Sequence, residues 1–156
     1  MYNKAIVSWI AAILWMATIF LLSHQPANDS SKLSLGVLDF FMQSLSAMMP
    51  QVEMHADLLH TVVRKGAHFG AYFILGILML NGLRQVGGKG AKAAALALCL
   101  CFLYAITDEI HQLFIPGRSG QFTDVLIDTA GAAAGIGIFL LVLYLFRKNV
   151  KQSKLS

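Results

Sequence analysis

Apolar positions along the chain are concentrated in four long, nearly continuous runs. The first, Ala5–Leu22, is 18 residues long. At 1.5 Å rise per residue it reaches roughly 27 Å, close to a bilayer's hydrocarbon thickness of about 30 Å. Gly66–Leu83, Ala91–Thr107 and Val125–Phe146 follow, the second closed by Arg84 and the last by Arg147-Lys148. Each run is predicted to be a membrane-spanning helix, the only open structure that satisfies its own backbone in lipid. The first ends in bulky Phe20-Leu21-Leu22 and then polar residues. That ending reads as a retained anchor, since a cleaved leader has a shorter core and a small-residue cleavage site. Gly87-Gly88-Lys89-Gly90 makes a short turn, so the second and third spans are expected to be antiparallel neighbours.

A longer polar segment, 23–65, separates the first two spans. Within it Leu33, Val37, Phe40, Phe41, Leu45 and Met48 recur at helical spacing, with Lys32, Asp39, Gln43 and Ser46 between them. This stripe predicts an amphipathic helix lying in the interface, ended by Pro50. A second polar helix is expected over Glu53–Lys65, leading into the second span. The fold class is therefore all-α membrane protein, a single domain of four transmembrane helices with an interfacial helix between the first and second.

Composition agrees. The 156 residues are 57% hydrophobic and 13% charged, against roughly 45–50% and 25% for soluble globular chains. The net charge of +4 does not point to nucleic acid, because the basic residues stand at the ends of the apolar runs. They orient the chain instead. With four spans, Lys4, Arg84, Lys89, Lys92, Arg147, Lys148, Lys151 and Lys154 fall on one side, and Lys32, Arg64, Lys65 and Arg118 on the other. The richer side is expected to be cytoplasmic and to hold both termini. All eight acidic residues (Asp29, Asp39, Glu53, Asp57, Asp108, Glu109, Asp124, Asp128) fall on the outer side. Cys99 and Cys101 are two positions apart in an apolar run; on a helix they do not face each other, so no disulfide is expected.

Candidate chemistry gathers on that outer side. Ser23-His24-Gln25 leaves the first span. Arg64, Lys65, His68 and Tyr72 enter the second, with Arg64, His68 and Tyr72 on one face at i, i+4, i+8. Asp108-Glu109-Ile110-His111-Gln112 leaves the third, Pro116-Gly117-Arg118 turns, and Asp124 and Asp128 share a face entering the fourth. Ionisable groups at a membrane boundary mark functional sites or salt-bridged plugs, and both readings stand here. Arg64, Lys65 and Arg118 suit a phosphate or carboxylate, Arg118 through its planar fork or else as a partner of Asp124. His68, Asp108 and Glu109 suit acid–base work. Asp108 and Glu109 point about 100° apart on a helix, so one is expected to be a surface acid. His24 and His111 with Asp108 and Asp124 offer metal ligands, but without tight ligand spacing; no metal or other cofactor is expected. Gly131-x-x-x-Gly135 predicts close helix packing.

These pieces resemble the VanZ-like family of bacterial membrane proteins. They are Ser23-His24-Gln25, Lys65-x-x-His68-Phe69-x-x-Tyr72, Asp108-Glu109-x-x-Gln112-x-Phe114-x-Pro116-Gly117-Arg118, and Asp124-x-x-x-Asp128-x-x-Gly131-x-x-x-Gly135. One position departs: the family pattern usually has Asn where this chain has Asp128. The extra carboxylate is expected to tighten pairing with Arg118 or Lys65, or to change a ligand preference. The resemblance implies a bacterial inner-membrane protein of the cell envelope, whose founding relative is associated with resistance to the glycopeptide teicoplanin. With the residues above, it suggests as ligand a membrane lipid, a lipid-linked wall precursor or an amphiphilic antibiotic. Ser23, Gln25, Arg64, Lys65, Tyr72, Gln112, Arg118, Asp124 and Asp128 are then the expected binding residues.

Overall fold

The computed structural model describes residues 2–26 and 56–152, with side chains over 3–26, 61–150 and at 152. Four α-helices make up the described chain: α1 (Tyr2–Ser23), α2 (Ala56–Gln85), α3 (Gly90–Gln112) and α4 (Phe122–Gln152). Each contains a stretch long and apolar enough to cross a membrane. The expected interfacial helix over Leu33–Met48 lies outside the described residues. From Ala56 onward, the expected second polar helix and the second span form one helix, α2.

The helices overrun their apolar runs. Hydropathy stops where charge begins, but the backbone ladder continues as long as the polar side chains find partners on neighbouring helices. Hence Asp108-Glu109-Ile110-His111-Gln112 forms the last turn of α3, and Asp124 sits in the first turn of α4.

Between α2 and α3 the chain turns in four residues. Gly88 N–H bonds Leu83 O at 2.9 Å and Gly87 N–H bonds Arg84 O at 3.2 Å, closing the end of α2. Gly87 has φ +98°, a left-handed conformation that costs glycine little.

Hydrophobicity does not drive helices together in lipid, so small residues and interhelical hydrogen bonds must do so. The buried face of α3 is a ladder of Ala93, Ala97, Cys101 and Ala105, one per turn. Cys101 belongs to this ladder while Cys99 is exposed, and both are free thiols. Trp15 Nε1–H donates to Ala71 O at 2.8 Å, the Tyr104 hydroxyl to Met16 O at 2.6 Å, and Asn81 Nδ2–H to Ser8 Oγ at 3.0 Å.

The closest packing is between α2 and α4. A Cβ placed on Gly131 would strike the Phe69 carbonyl oxygen, one on Gly135 the Phe73 carbonyl oxygen, and one on Gly76 the Ala132 carbonyl oxygen. Both Gly131 and Gly135 therefore serve the close approach that their spacing predicts. Phe69–Gly131 and Phe73–Gly135 step in the same direction, so α2 and α4 run parallel. Antiparallel α3 returns the chain between them.

Candidate functional site

Toward one end of the bundle the small-residue seam between α2 and α4 gives way to a polar one. Arg64 Nη2 lies 3.3 Å from Asp124 Oδ2, and His68 Nδ1 lies 3.3 Å from Asp128 Oδ1 and 3.5 Å from Oδ2. Four-residue steps on both helices place one polar rung, Arg64–Asp124, above another, His68–Asp128. Lys65 Nζ adds a longer contact, 3.9 Å, to Asp124 Oδ1. The Arg64 and Lys65 side chains are each 35% exposed, whereas that of Asp124 is 3% exposed. Two half-exposed cations thus converge on one buried carboxylate.

α3 contributes the rest. Asp108 and Glu109 are both buried, at 2% and 5% exposure, so neither is the surface acid expected from their positions. The end of α3 is enclosed on two sides, and directions about 100° apart both point inward. Asp108 Oδ2 accepts from Ser23 Oγ of α1 at 2.8 Å, and Gln112 Nε2 reaches the same hydroxyl at 3.5 Å. Glu109 Oε2 accepts the Gln121 backbone N–H at 2.7 Å. A Glu109 carboxylate oxygen also lies within 4.8 Å of the ligand atoms of His68 and Asp128, so it faces the α2–α4 seam.

Gln121 was not among the expected site residues. Its position just before α4 is the signal that points to it, because the first N–H groups of a helix lack intrahelical partners. Gly120 permits the contact: a Cβ there would stand 2.6 Å from Glu109 O and 3.0 Å from Leu113 Cδ2. Gly120→Ala is expected to push the loop off α3, at a cost of about 1–3 kcal/mol. Faster hydrogen exchange at the Gln121 amide, with a lowered melting temperature, would register it; an unchanged amide would contradict it.

Arg118 neither holds Asp124 nor partners Asp128. Its Nε–H donates to Gln25 O at 2.9 Å and its Nη2–H to Leu22 O at 3.3 Å. Gly117, at φ +76°, turns the loop back so that this cation caps the C-terminus of α1, where unsatisfied carbonyls and the helix dipole favour it. Burial, and then the charge of Arg64, pull the Arg118 pKa below its usual range. A guanidinium remains charged at neutral pH regardless.

The remaining expected residues fall as follows. Tyr72 is buried beside Tyr104, with ring centroids 6.1 Å apart. Gln25 enters through its backbone carbonyl. Asp128 binds His68 rather than Lys65 or Arg118, because α4 sets it one turn below Asp124. His24 Nδ1 and His111 Nε2 lie 3.1 Å apart, under the ring of Phe20. Asp108 is turned to Ser23 and Asp124 to α2, so the four-residue ligand set read from the sequence is not assembled. A different set is: one ligand atom each from His68, Glu109 and Asp128 lies within 4.8 Å of the others.

Ser23, Lys65, His68, Tyr72, Asp108, Gln112, Asp124 and Asp128 thus come together from all four helices, and residues 8–144 match the VanZ/LLP1 family model. The chain belongs to the VanZ/LLP1 family. The match covers every helix that contributes to the cluster, as the resemblance in the motifs led us to expect. No curated protein and no solved structure matches this VanZ/LLP1 chain.

Proposed function

We propose that this VanZ/LLP1 protein binds an anionic lipid of the bacterial cell envelope, or a lipid-linked wall precursor, at the outer face of the inner membrane. The observation that carries the reading is the pairing of two half-exposed cations, Arg64 and Lys65, with the single carboxylate of Asp124. The surplus positive charge at the rim suits a phosphate or carboxylate headgroup. Exposed apolar helix faces offer room for acyl chains. Behind the rim, His68, Asp108 and Glu109 stand where they would act on the headgroup. The Lys and Arg count supports the outer orientation, with both termini in the cytoplasm. An effect on teicoplanin susceptibility would follow if the bound lipid were a wall precursor.

A second reading has its own observation. Arg118 is committed to α1 carbonyls and Asp108 to Ser23, as in a polar plug that only fastens helix ends.

Mass spectrometry of lipids copurified with the protein separates the two. Wild type is expected to be enriched in an anionic phospholipid or wall precursor relative to the bulk membrane. The variant Arg64→Gln/Lys65→Gln/Asp124→Asn, with both rim cations and their shared carboxylate neutralised together, is expected to lose that enrichment while remaining folded. A wild-type lipid profile matching the bulk membrane would favour the plug.

A further inference from the structure

We infer that His68, Glu109 and Asp128 form a binding site for a divalent transition-metal ion, with Zn2+ the best match. The inference does not depend on the lipid reading, and it gives His68 and Glu109 a ligand role in place of proton transfer.

Charge is the first argument. Arg64 and Lys65 both go to Asp124. Asp108 is held by a hydroxyl, Glu109 by a backbone amide and Asp128 by an imidazole. Among the described residues, no Lys or Arg pairs with these three carboxylates, all at least nine-tenths buried. A buried carboxylate without a cation is costly, more so at membrane depth. One divalent ion on Glu109 and Asp128 would balance both.

Orphaned oxygens are the second argument. Glu109 Oε1, Asp108 Oδ1, Asp124 Oδ1 and the Tyr72 hydroxyl are buried without a hydrogen-bond partner, and Asp128 Oδ1 makes no hydrogen bond although the His68 ring nitrogen stands 3.3 Å from it. Glu109 spends Oε2 on the Gln121 amide, leaving Oε1 buried with nothing to accept from, and a carboxylate oxygen of Glu109 lies within 4.8 Å of the His68 and Asp128 ligand atoms. Buried polar atoms in native folds almost always have a partner. Tyr72 lies one turn below His68 on the same helix face, close enough to Asp108 and Asp128 to feel their charges. Its orphan hydroxyl is therefore beside the trio without belonging to it.

Geometry is the third. Two ligand atoms each about 2.0–2.1 Å from a tetrahedral ion stand about 3.3–3.4 Å apart. His68 Nδ1 and Asp128 Oδ1 are already 3.3 Å apart. With the three ligand atoms within 4.8 Å of one another, Glu109 needs to close by only about 1.5 Å, within the reach of a rotamer adjustment. One imidazole and two carboxylates suit Zn2+, and three protein ligands leave a position for water or a substrate oxygen.

The test uses the full-length protein in lipid nanodiscs, stripped with chelator and titrated with Zn2+ alone. Wild type is expected to hold about one strongly bound Zn2+ per chain. Glu109→Gln and Asp128→Asn should each weaken that binding at least about tenfold, since even residues behind the ligands change affinity 10–100-fold. His24→Ala/His111→Ala should leave it intact, excluding the neighbouring histidine pair. X-ray absorption on Zn2+-loaded wild type needs no variant, and should show nitrogen and oxygen ligands with a single imidazole. No strong site, a site lost with His24 and His111, or a sulfur ligand would each overturn the assignment.

Discussion

Gly135→Val is expected to abolish the native packing of α2 against α4. A Cβ at this position overlaps the Phe73 backbone carbonyl, and a valine adds two further methyls. The obstacle is main chain, which cannot rotate away as a side chain would. The two helices must separate, and their upper rungs, Arg64–Asp124 and His68–Asp128, must separate with them. Overpacking a well-packed interior costs about 1–3 kcal/mol; with two partly buried polar contacts opened as well, a loss of about 3 kcal/mol is expected. Gly137→Ala is the matched control. It lies on the same helix with nothing within 4 Å of its added Cβ. It should be neutral, or stabilising by up to about 1 kcal/mol, because alanine is the better helix former. Thermal melts in one detergent decide the matter, and equal melting temperatures for the two variants would refute this account of the seam.

The second large effect concerns the upper rung and is an asymmetry. Arg64→Gln/Lys65→Gln leaves Asp124 buried with its charge unmatched. Fully buried broken pairs lose about 3–5 kcal/mol, and the half-exposure of both cations reduces this to about 2–3 kcal/mol. Adding Asp124→Asn to that double variant removes the orphaned charge and should recover most of the loss. Asp124→Asn alone should cost less than the double variant, because both cations can turn toward water. Chemical denaturation of the four proteins tests this as a cycle. A double variant as stable as wild type would show that the rung carries no net stability, and a triple variant no better than the double would show that the loss does not come from an orphaned Asp124 charge. The outcome also matters for lipid binding, since the triple variant must fold for its lipid profile to be read.

The reading from sequence succeeded where local physics decides. Arg64, His68 and Tyr72 share a face because helical spacing alone puts them there, and the Gly131/Gly135 pair packs closely because no side chain intervenes. It failed where a residue's neighbour comes from elsewhere in the chain. Arg118 looked like a clamp for an anion or for Asp124; only the backward turn at Gly117 shows that α1 carbonyls are within its reach. Asp108 and Glu109 were expected to divide between interior and surface. The convergence of α1, α2 and α4 around the end of α3 buries them both. Gln121 contributes through its backbone, which no side-chain pattern reports.

Taken by itself, then, the sequence determined four spanning helices, the turn between the middle two and the end of the bundle where its polar residues collect. Transfer of apolar side chains into lipid and the self-satisfied helical backbone are properties of contiguous residues, so they can be read in order along the chain. Tertiary structure decided which oxygen meets which donor. The rungs of the α2–α4 seam join residues 60 positions apart, and Ser23 meets Asp108 across 85. Such contacts depend on helix rotations and offsets of a few ångströms set by the close approach at Gly76, Gly131 and Gly135. That packing turned a list of polar residues at one end of the bundle into a seam with two polar rungs, an arginine-capped helix and a His68–Glu109–Asp128 trio.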